Sequence, residues 1–273
     1  MNIAICGCGW LGLPLAKALY KKGHNVYGTK RNEREANALS AYGIHGVPMQ
    51  LPLTEDVQVS SLATMLASDV MVINIAAGRN SIDKEQHYQN VLSLSNAAYQ
   101  SGCQRIIFIS TTSVYDGRKG RVAEDDDVMP LTDSALTHVK IENSLRTQWG
   151  DQLTIVRLSG LIGEDRHPVK FLAGRNALKG GSNPVNLIHL EDCVAAIVRL
   201  VGIKDSMPVL HLASDFHPTR SKYYTQMAKQ LSLPLPEFLP DDESSTAKVI
   251  DAAKTLTNLG YVLKHRDLCC LNR

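Results

Sequence analysis

Three glycines near the start of the chain constrain the fold more than any other feature. An apolar run at residues 3–6 leads into glycines spaced G-x-G-x-x-G, and a helical pattern follows at residues 11–22. In such a strand–turn–helix unit the first glycine permits a tight turn, the second lets the backbone approach a pyrophosphate, and the third lets the helix pack on the strand. The helix start adds N–H groups and the positive end of its dipole. This predicts a dinucleotide-binding loop, whose candidate cofactor contacts are Gly7, Gly9, Trp10, Leu11 and Gly12.

Strand-like and helical patterns alternate after this loop. Residues 70–76 and 105–109 are continuous apolar runs, which are typical of strands buried on both faces of a parallel sheet. Longer amphipathic stretches at 84–100 and 133–149 predict helices. The alternation predicts an α/β fold with a doubly wound parallel sheet of the Rossmann type. In such a sheet, ligands bind outside the carboxyl ends of the strands.

The pattern becomes looser beyond Gly160. Only short helices are expected there, near 168–177, 190–202, 219–231 and 252–259, with a strand near 209–211. We therefore expect two domains in a chain of this length. The first is an NAD(P)-binding Rossmann domain at 1–160. The second is a smaller C-terminal α/β substrate lobe at 161–273, intertwined with the first through chain crossings.

Composition restricts the partners. The net charge is only +2, so the chain lacks the basic field of nucleic-acid-binding proteins, and no apolar window is long enough to span a membrane. The six cysteines show no framework spacing, which favours reduced thiols in a cytoplasmic protein. The nine histidines show neither H-x-H nor H-E-x-x-H spacing, so the sequence predicts no metal site.

The end of the second predicted strand bears on the choice of cofactor. An acidic residue there would bind the ribose hydroxyls of NAD(H), whereas a basic residue accommodates the 2′-phosphate of NADP(H). This strand ends in a hydroxyl and two cations, Thr29, Lys30 and Arg31, and no acid precedes Glu33. The sequence therefore predicts NADP(H) in preference to NAD(H). Two alternatives stay open, because the cations also suit a solvated loop and Glu33 can reach back to a ribose.

The segment Ile109-Ser110-Thr111-Thr112-Ser113-Val114-Tyr115 introduces a resemblance that covers nearly the whole chain. It resembles the extended short-chain dehydrogenases of the NAD-dependent epimerase/dehydratase family, which includes nucleoside-diphosphate-sugar epimerases. Similar matches follow at 74–77, 88–91, 156–163, 186–192 and 259–261. The resemblance implies that Thr111 bonds the reacting oxygen. It also implies further cofactor contacts at Ala76, Ala77, Gly78 and Ser110.

The chain departs from this family at the catalytic helix. The family's acid/base is a tyrosine in Tyr-x-x-x-Lys, but residues 132–142 contain no tyrosine. If Lys140 is the lysine, Leu136 stands at the base and cannot transfer a proton. If Glu142 matches the family's helix glutamate, Ser134 stands at the tyrosine and His138 at the lysine. A histidine titrates in the useful range. The candidate catalytic residues are therefore Thr111, Ser134, His138 and Lys140.

The resemblance also indicates a substrate side. Arg166 and His167 follow Gly163, where the family's substrate loop begins, and cations there suit a diphosphate or, equally, a solvated basic loop. Asn186 belongs to the family's Asn-x-Ile-His-x-x-Asp motif. We expect a small-molecule substrate, such as a nucleotide sugar, and a homodimer that pairs through the helices at 84–100 and 133–149.

Two function hypotheses follow. The first is an NAD(P)-dependent oxidoreductase or epimerase that acts on a sugar-nucleotide-like or other carbonyl or hydroxyl substrate, with a degenerate Tyr-x-x-x-Lys site. The alternative is a non-catalytic protein that senses NADP(H) and regulates or binds a partner. The missing tyrosine favours the alternative, and the motifs that remain favour the enzyme.

Overall fold

The structure is a computed structural model of the chain, and it describes residues 1–53, 60–75, 84–163, 166–240 and 248–269. Within these ranges the strands are β1 (Asn2–Cys6), β2 (Asn25–Lys30), β3 (His45–Pro48), β4 (Val70–Ile73), β5 (Ile106–Thr111), β6 (Gly120–Val122), β7 (Leu153–Leu158), β8 (Gly160–Ile162), β9 (Leu187–His189), β10 (Val209–Leu212) and β11 (Lys248–Ile250). The helices are α1 (Gly12–Lys21), α2 (Glu33–Asn37), α3 (Ser60–Leu66), α4 (Lys84–Gln100), α5 (Asp133–Trp149), α6 (Val169–Leu172), α7 (Leu190–Gly202), α8 (Arg220–Gln230) and α9 (Ala253–Asn258). Three 3₁₀ turns lie at Ala38–Tyr42, Thr112–Tyr115 and Gly150–Gln152.

Seven strands form the central parallel sheet, in the order β10-β7-β5-β4-β1-β2-β3. The strand order reverses at β1, because β2 and β3 follow on one side of it and β4, β5 and β7 on the other. Strand β1 pairs in parallel with both of its neighbours, Ile5 standing opposite Gly28 of β2 and Val72 of β4. The predicted doubly wound sheet is confirmed, and its switch point lies at the glycine loop, where such folds bind ligands.

Both faces of β1 are buried, as a helix-covered parallel sheet requires. Ala4 and Cys6 join one hydrophobic cluster with Leu94 of α4 and Phe108 of β5. Ile3 and Ile5 point to the opposite face and are also fully buried. The alternating burial fixes the register of β1, because a shift by one residue would exchange the two faces.

By internal contacts the chain divides into two compact units. Unit 1 comprises residues 1–111, 132–157 and 197–210, and unit 2 comprises 112–131, 158–196 and 211–273. Unit 2 contains two small sheets, β6 with β11 and β8 with β9, each pair running parallel. The boundary at residue 160 and the role of a substrate lobe stay predictions.

No helix in the described ranges is long and apolar enough to cross a membrane. The described cysteines are free thiols and are all buried: Cys6, Cys8, Cys103, Cys193 and Cys269.

Candidate functional site

Gly7 and Gly12 are held where no side chain fits. Gly7 has φ +103°, and a Cβ built on it would lie 2.3 Å from the carbonyl oxygen of Asn74. A Cβ on Gly12 would lie 2.1 Å from the carbonyl oxygen of Gly7. Since real Cβ atoms do not approach backbone oxygen so closely, α1 can pack against the end of β1 only with glycine at these positions.

Gly9 differs from the other two glycines because a Cβ there would meet no atom within 4 Å. It is exposed, and its carbonyl already accepts a hydrogen bond from the N–H of Leu13 at 3.0 Å. Helix α1 begins with Leu11 as its N-cap, without a side-chain cap and without an acidic residue in its first turn. The space above Gly9 and the positive helix end fit the pyrophosphate of a dinucleotide.

Two polar side chains fix the glycine loop from neighbouring strands. The hydroxyl of Thr29, at the end of β2, accepts a hydrogen bond from the N–H of Gly7 at 2.9 Å. The side-chain amide of Asn74, directly after β4, donates to the carbonyl of Gly7 at 3.2 Å. Thr29 therefore supports the loop itself. Asn74 was not among the predicted site residues. Its position as a polar residue directly after a buried strand could have predicted it.

The cations at the end of β2 remain available to a ligand. Lys30 is partly exposed and Arg31 exposed, and neither forms an ion pair with another described residue. Asn32 then caps α2, its side chain accepting from the N–H of Glu35 at 2.9 Å. The predicted cofactor contacts Ala76, Ala77 and Gly78 lie outside the described residues.

A buried ion pair fixes the carboxyl end of β5 against α5. Glu142 is fully buried and accepts a hydrogen bond from the hydroxyl of Ser110 at 2.6 Å. It also accepts two from Arg157 of β7, at 3.2 and 2.6 Å, and one from Arg146 at 3.1 Å. Ser110 is thereby bonded to Glu142, and it holds β5 to α5.

The carboxylate of Glu142 is charged in this environment. Burial alone would raise its pKa, but the hydrogen bonds and charge of Arg157, the hydroxyl of Ser110 and the charge of Arg146 together lower it. A lowered pKa in the folded state adds stability above the ordinary carboxyl pKa, and this stability is lost as the pH falls through the folded-state value. The hydrogen-bond network around Glu142 is therefore stable only while its carboxylate is ionised.

His138 lies one helical turn before Glu142 and faces the sheet. Its ring packs on Phe108 of β5, with 6.0 Å between centroids, and on His87 of α4, with 5.8 Å. Nδ1 of His138 and Nε2 of His87 are both buried and have no hydrogen-bond partner among the described residues. Burial lowers the pKa of His138, although the charge of Glu142 opposes this. Burial and the charge of His138 lower the pKa of His87 to about 4.

The pKa of His87 predicts a loss of stability in acid. Its folded-state pKa of about 4 lies below the unfolded value of 6.5. Between these values the unfolded chain binds the proton more readily, so the stability of the folded protein is complete above pH 6.5 and is lost as the pH falls towards 4. As the pH falls through this interval, the free energy of unfolding should decrease in both proteins. The decrease should be smaller in His87→Gln than in the wild type, by up to about 3 kcal/mol. Urea unfolding at pH 7.0 and pH 4.5 measures it. His45→Gln serves as the control, because His45 is exposed. If the difference in unfolding free energy between pH 7.0 and pH 4.5 is the same in His87→Gln as in the wild type, the prediction is wrong.

The other candidate catalytic residues have different surroundings. Lys140 faces α4, where its Nζ lies 2.8 Å from a carboxylate oxygen of Glu85 and 3.8 Å from the centre of the Tyr88 ring. Ser134 is exposed in the first turn of α5, and Thr111 is the partly buried last residue of β5. Of the two registers, only the one matching Glu142 brings a candidate residue of α5 against β5, namely His138. The catalytic roles themselves stay predictions.

Tyr115 is bonded within unit 2. Its hydroxyl lies 2.9 Å from Nε2 of the fully buried His211, whose Nδ1 lies 2.8 Å from the carbonyl oxygen of Asp251. Because a carbonyl only accepts, Nδ1 of His211 carries a hydrogen. The hydroxyl of Tyr115 is therefore engaged with His211.

The three candidate substrate residues have different environments in unit 2. His167 is buried; its Nδ1 accepts from the N–H of Val169 at 3.1 Å, so Nε2 donates to the hydroxyl of Tyr223 at 2.8 Å. Burial and the charge of Lys170 lower the pKa of His167 to about 4, so it is uncharged at neutral pH. The side-chain amide of Asn186 hydrogen-bonds to β11: it donates to the carbonyl of Lys248 and accepts from the N–H of Ile250. Arg166 is exposed.

Comparison with known proteins supports the fold. The family model described as "RmlD substrate binding domain" matches residues 1–189. The protein YeeZ of Escherichia coli strain K12 is 34% identical over 266 residues, covering 97% of both chains.

More distant similarities are to sugar-nucleotide epimerases. An uncharacterized UDP-glucose epimerase of Bacillus subtilis strain 168, YtcB, is 24% identical over 74% of this chain and 73% of its own. The crystal structure of UDP-glucuronic acid 4-epimerase from Bacillus cereus in complex with NAD superimposes with a TM-score of 0.78 at 19% identity, covering 99% of this chain and 95% of the other. At this identity the likeness concerns the fold.

Proposed function

The chain belongs to the RmlD substrate binding domain family of epimerase/dehydratase-like proteins, and on that premise we propose that it binds a nicotinamide dinucleotide at residues 7–12. One observation carries this proposal. Gly7 and Gly12 are locked by backbone contacts while the space over Gly9 stays open beside an uncapped helix end. Such an arrangement accepts a pyrophosphate.

The proposed substrate is a nucleotide sugar or a related compound with a hydroxyl or carbonyl group. Support comes from the relatives, since one is described as a UDP-glucose epimerase and another as a UDP-glucuronic acid 4-epimerase. Of the candidate substrate residues, Arg166 carries a charge that suits a diphosphate. His167 and Asn186 would shape unit 2.

The bound cofactor supplies hydride transfer at the nicotinamide C4. In the proposed reaction the hydroxyl of Thr111 hydrogen-bonds the oxygen of the substrate carbon that gains or loses hydride. His138 accepts a proton when a hydroxyl is oxidised, because burial keeps its imidazole neutral at pH 7. Ser134 and Lys140 would assist, although Lys140 must first leave Glu85.

A preference for NADP(H) is the finer part of the proposal, and it predicts a selective variant. Lys30 and Arg31 each offer a charge-assisted hydrogen bond to a 2′-phosphate. Replacing both with alanine should weaken NADPH binding at least about tenfold and leave NADH binding within about twofold. Titration calorimetry measures both affinities, and Trp10 fluorescence gives a second signal.

Arg34→Ala is the matched control, since Arg34 is an exposed cation of α2. An equal loss for NADPH and NADH would overturn the phosphate preference and leave the dinucleotide site intact. If the wild type binds neither cofactor, the whole proposal fails.

A non-catalytic NADP(H) sensor is the second candidate function. It is favoured by the absence of a tyrosine from α5 and by the pairing of Lys140 with Glu85. The two functions separate when NADPH consumption is measured against a panel of carbonyl compounds and UDP-sugars. Turnover that disappears in Thr111→Val supports the enzyme, whereas binding without turnover supports the sensor.

The proposal includes a homodimer in the cytoplasm. Helices α4 and α5 pack together, and each shows a large exposed apolar side chain, Tyr99 and Leu136. The buried free thiols suit a reducing compartment. Sedimentation of the same samples at micromolar concentration would count against the dimer if it showed only monomer.

A further inference from the structure

Two histidines and a glutamate converge in unit 2. His189 is the last residue of β9, Glu191 lies in the first turn of α7, and His265 follows α9. One ligand atom of each lies within 4.8 Å of the other two. Nε2 of His265 is 3.0 Å from a carboxylate oxygen of Glu191, and the imidazole centroids of the two histidines are 3.7 Å apart.

A buried carboxylate positions this cluster. Asp192 is fully buried and accepts hydrogen bonds from the hydroxyl of Tyr261 at 2.6 Å and from the N–H groups of Lys264 and His265 at 2.7 and 3.0 Å. These bonds tie the segment after α9 to the start of α7. The backbone of His265 is therefore held beside His189 and Glu191 before any ligand binds, which lowers the cost of ordering a site.

We propose that His189, Glu191 and His265 form a site for a divalent transition-metal ion, with Zn²⁺ as the best-fitting ion. Two imidazoles and one carboxylate are a donor set that Zn²⁺ binds readily, with an open position for water. Ligand atoms about 2.0–2.2 Å from Zn²⁺ at tetrahedral angles lie roughly 3.3–3.6 Å apart. Glu191 and His265 already approach this spacing, and side-chain rotation closes the remaining distance.

Two contacts compete with the ion. Nζ of Lys264 lies 2.5 Å from the carboxylate oxygen of Glu191 that also faces His265. Nδ1 of His189 accepts a long hydrogen bond, 3.3 Å, from the N–H of Glu191. The Lys264 side chain is 66% exposed, so a divalent ion can displace it into water, and the imidazole of His189 must turn or give up its bond. We therefore expect a dissociation constant in the micromolar range, which is weaker binding than at a closed structural zinc site.

The competition defines the test. Untagged full-length protein, freed of metal with a chelator, is titrated with Zn²⁺ by calorimetry, and one ion per chain is expected. His265→Gln should weaken binding at least tenfold. Lys264→Met should tighten it severalfold, because it removes the competing cation and leaves all three ligands. His45→Gln is the control, since His45 is an exposed histidine of β3 in unit 1.

Co²⁺ provides a second readout that does not depend on stability. Wild type and Lys264→Met should show the intense visible absorption of low-coordinate Co²⁺, and His265→Gln should not. Absence of saturable Zn²⁺ binding in the wild type overturns the proposal. Binding that His265→Gln leaves unchanged, or that Lys264→Met weakens, overturns it too, because the cluster would then be only a network of ion pairs.

Discussion

Gly12→Ala is expected to abolish dinucleotide binding and to destabilise unit 1. The new Cβ would lie 2.1 Å from the carbonyl oxygen of Gly7 and 3.2 Å from the amide nitrogen of Asn74. Because backbone atoms occupy that space, α1 must move away from β1, which costs about 1–3 kcal/mol as overpacking does in other cores. The N–H groups at the helix start then lose their positions. We expect an affinity loss of at least about 100-fold, equivalent to about 2.7 kcal/mol.

Gly9→Ala is the matched variant that separates the binding effect from folding. Its Cβ would meet no atom of the described residues within 4 Å, and Gly9 does not have a left-handed φ. The melting temperature without nucleotide should therefore equal that of the wild type. Affinity should still fall at least about tenfold, because the methyl group occupies the space into which the pyrophosphate must come.

Calorimetry with NADPH and NADH, together with urea unfolding, measures both variants. If Gly9→Ala binds as tightly as the wild type, the pyrophosphate does not lie over the loop. If Gly12→Ala remains as stable as the wild type, the tight packing inferred between α1 and β1 is wrong.

The second large effect is expected at Glu142. Removing this carboxylate in Glu142→Ala leaves Arg157 buried, with only 3% of its side chain exposed, and without its charged partner. Breaking a buried pair from one side typically costs about 3–5 kcal/mol. The hydroxyl of Ser110 loses its acceptor as well. Urea unfolding should show this loss, and the end of β5 that carries Thr111 should become less ordered.

Two controls locate the origin of that loss. Arg146→Met removes the outer cation, whose side chain is 39% exposed, and should cost no more than about 1 kcal/mol. The double variant Glu142→Leu with Arg157→Leu removes both buried charges and should recover much of the stability of Glu142→Ala. If the double variant is no more stable than Glu142→Ala, the loss of the Glu142 partner from the buried charge of Arg157 is not the cause.

The sequence pattern predicted long elements well and short ones poorly. Helices α4 and α5 have the bounds that their amphipathic periodicity indicated, because 17 residues sample several helical turns. Strands β6, β8, β9 and β11 were not predicted, since three residues cannot establish an alternating pattern. These strands form because of burial in unit 2 and, for β11, because of the two hydrogen bonds that it makes with the side chain of Asn186.

Helix α5 shows the same division at the level of single residues. Its sequence allowed two registers, because both Lys140 and Glu142 can be matched to the family pattern. Glu142 and His138 face the sheet, whereas Lys140 pairs with Glu85 of α4. The distinction depends on which side of α5 packs against β5, and that is a property of the packed helices.

The glycine loop was determined by the sequence alone, because its spacing expresses steric limits that act between neighbouring residues and hold in any such strand–turn–helix unit. The tertiary structure decided which distant side chains share a site. Asn74 reaches Gly7 across 67 residues, Ser110 reaches Glu142 across 32, and Glu191 reaches His265 across 74. Those pairs depend on strand order and helix packing, which set contacts between residues that the sequence keeps far apart.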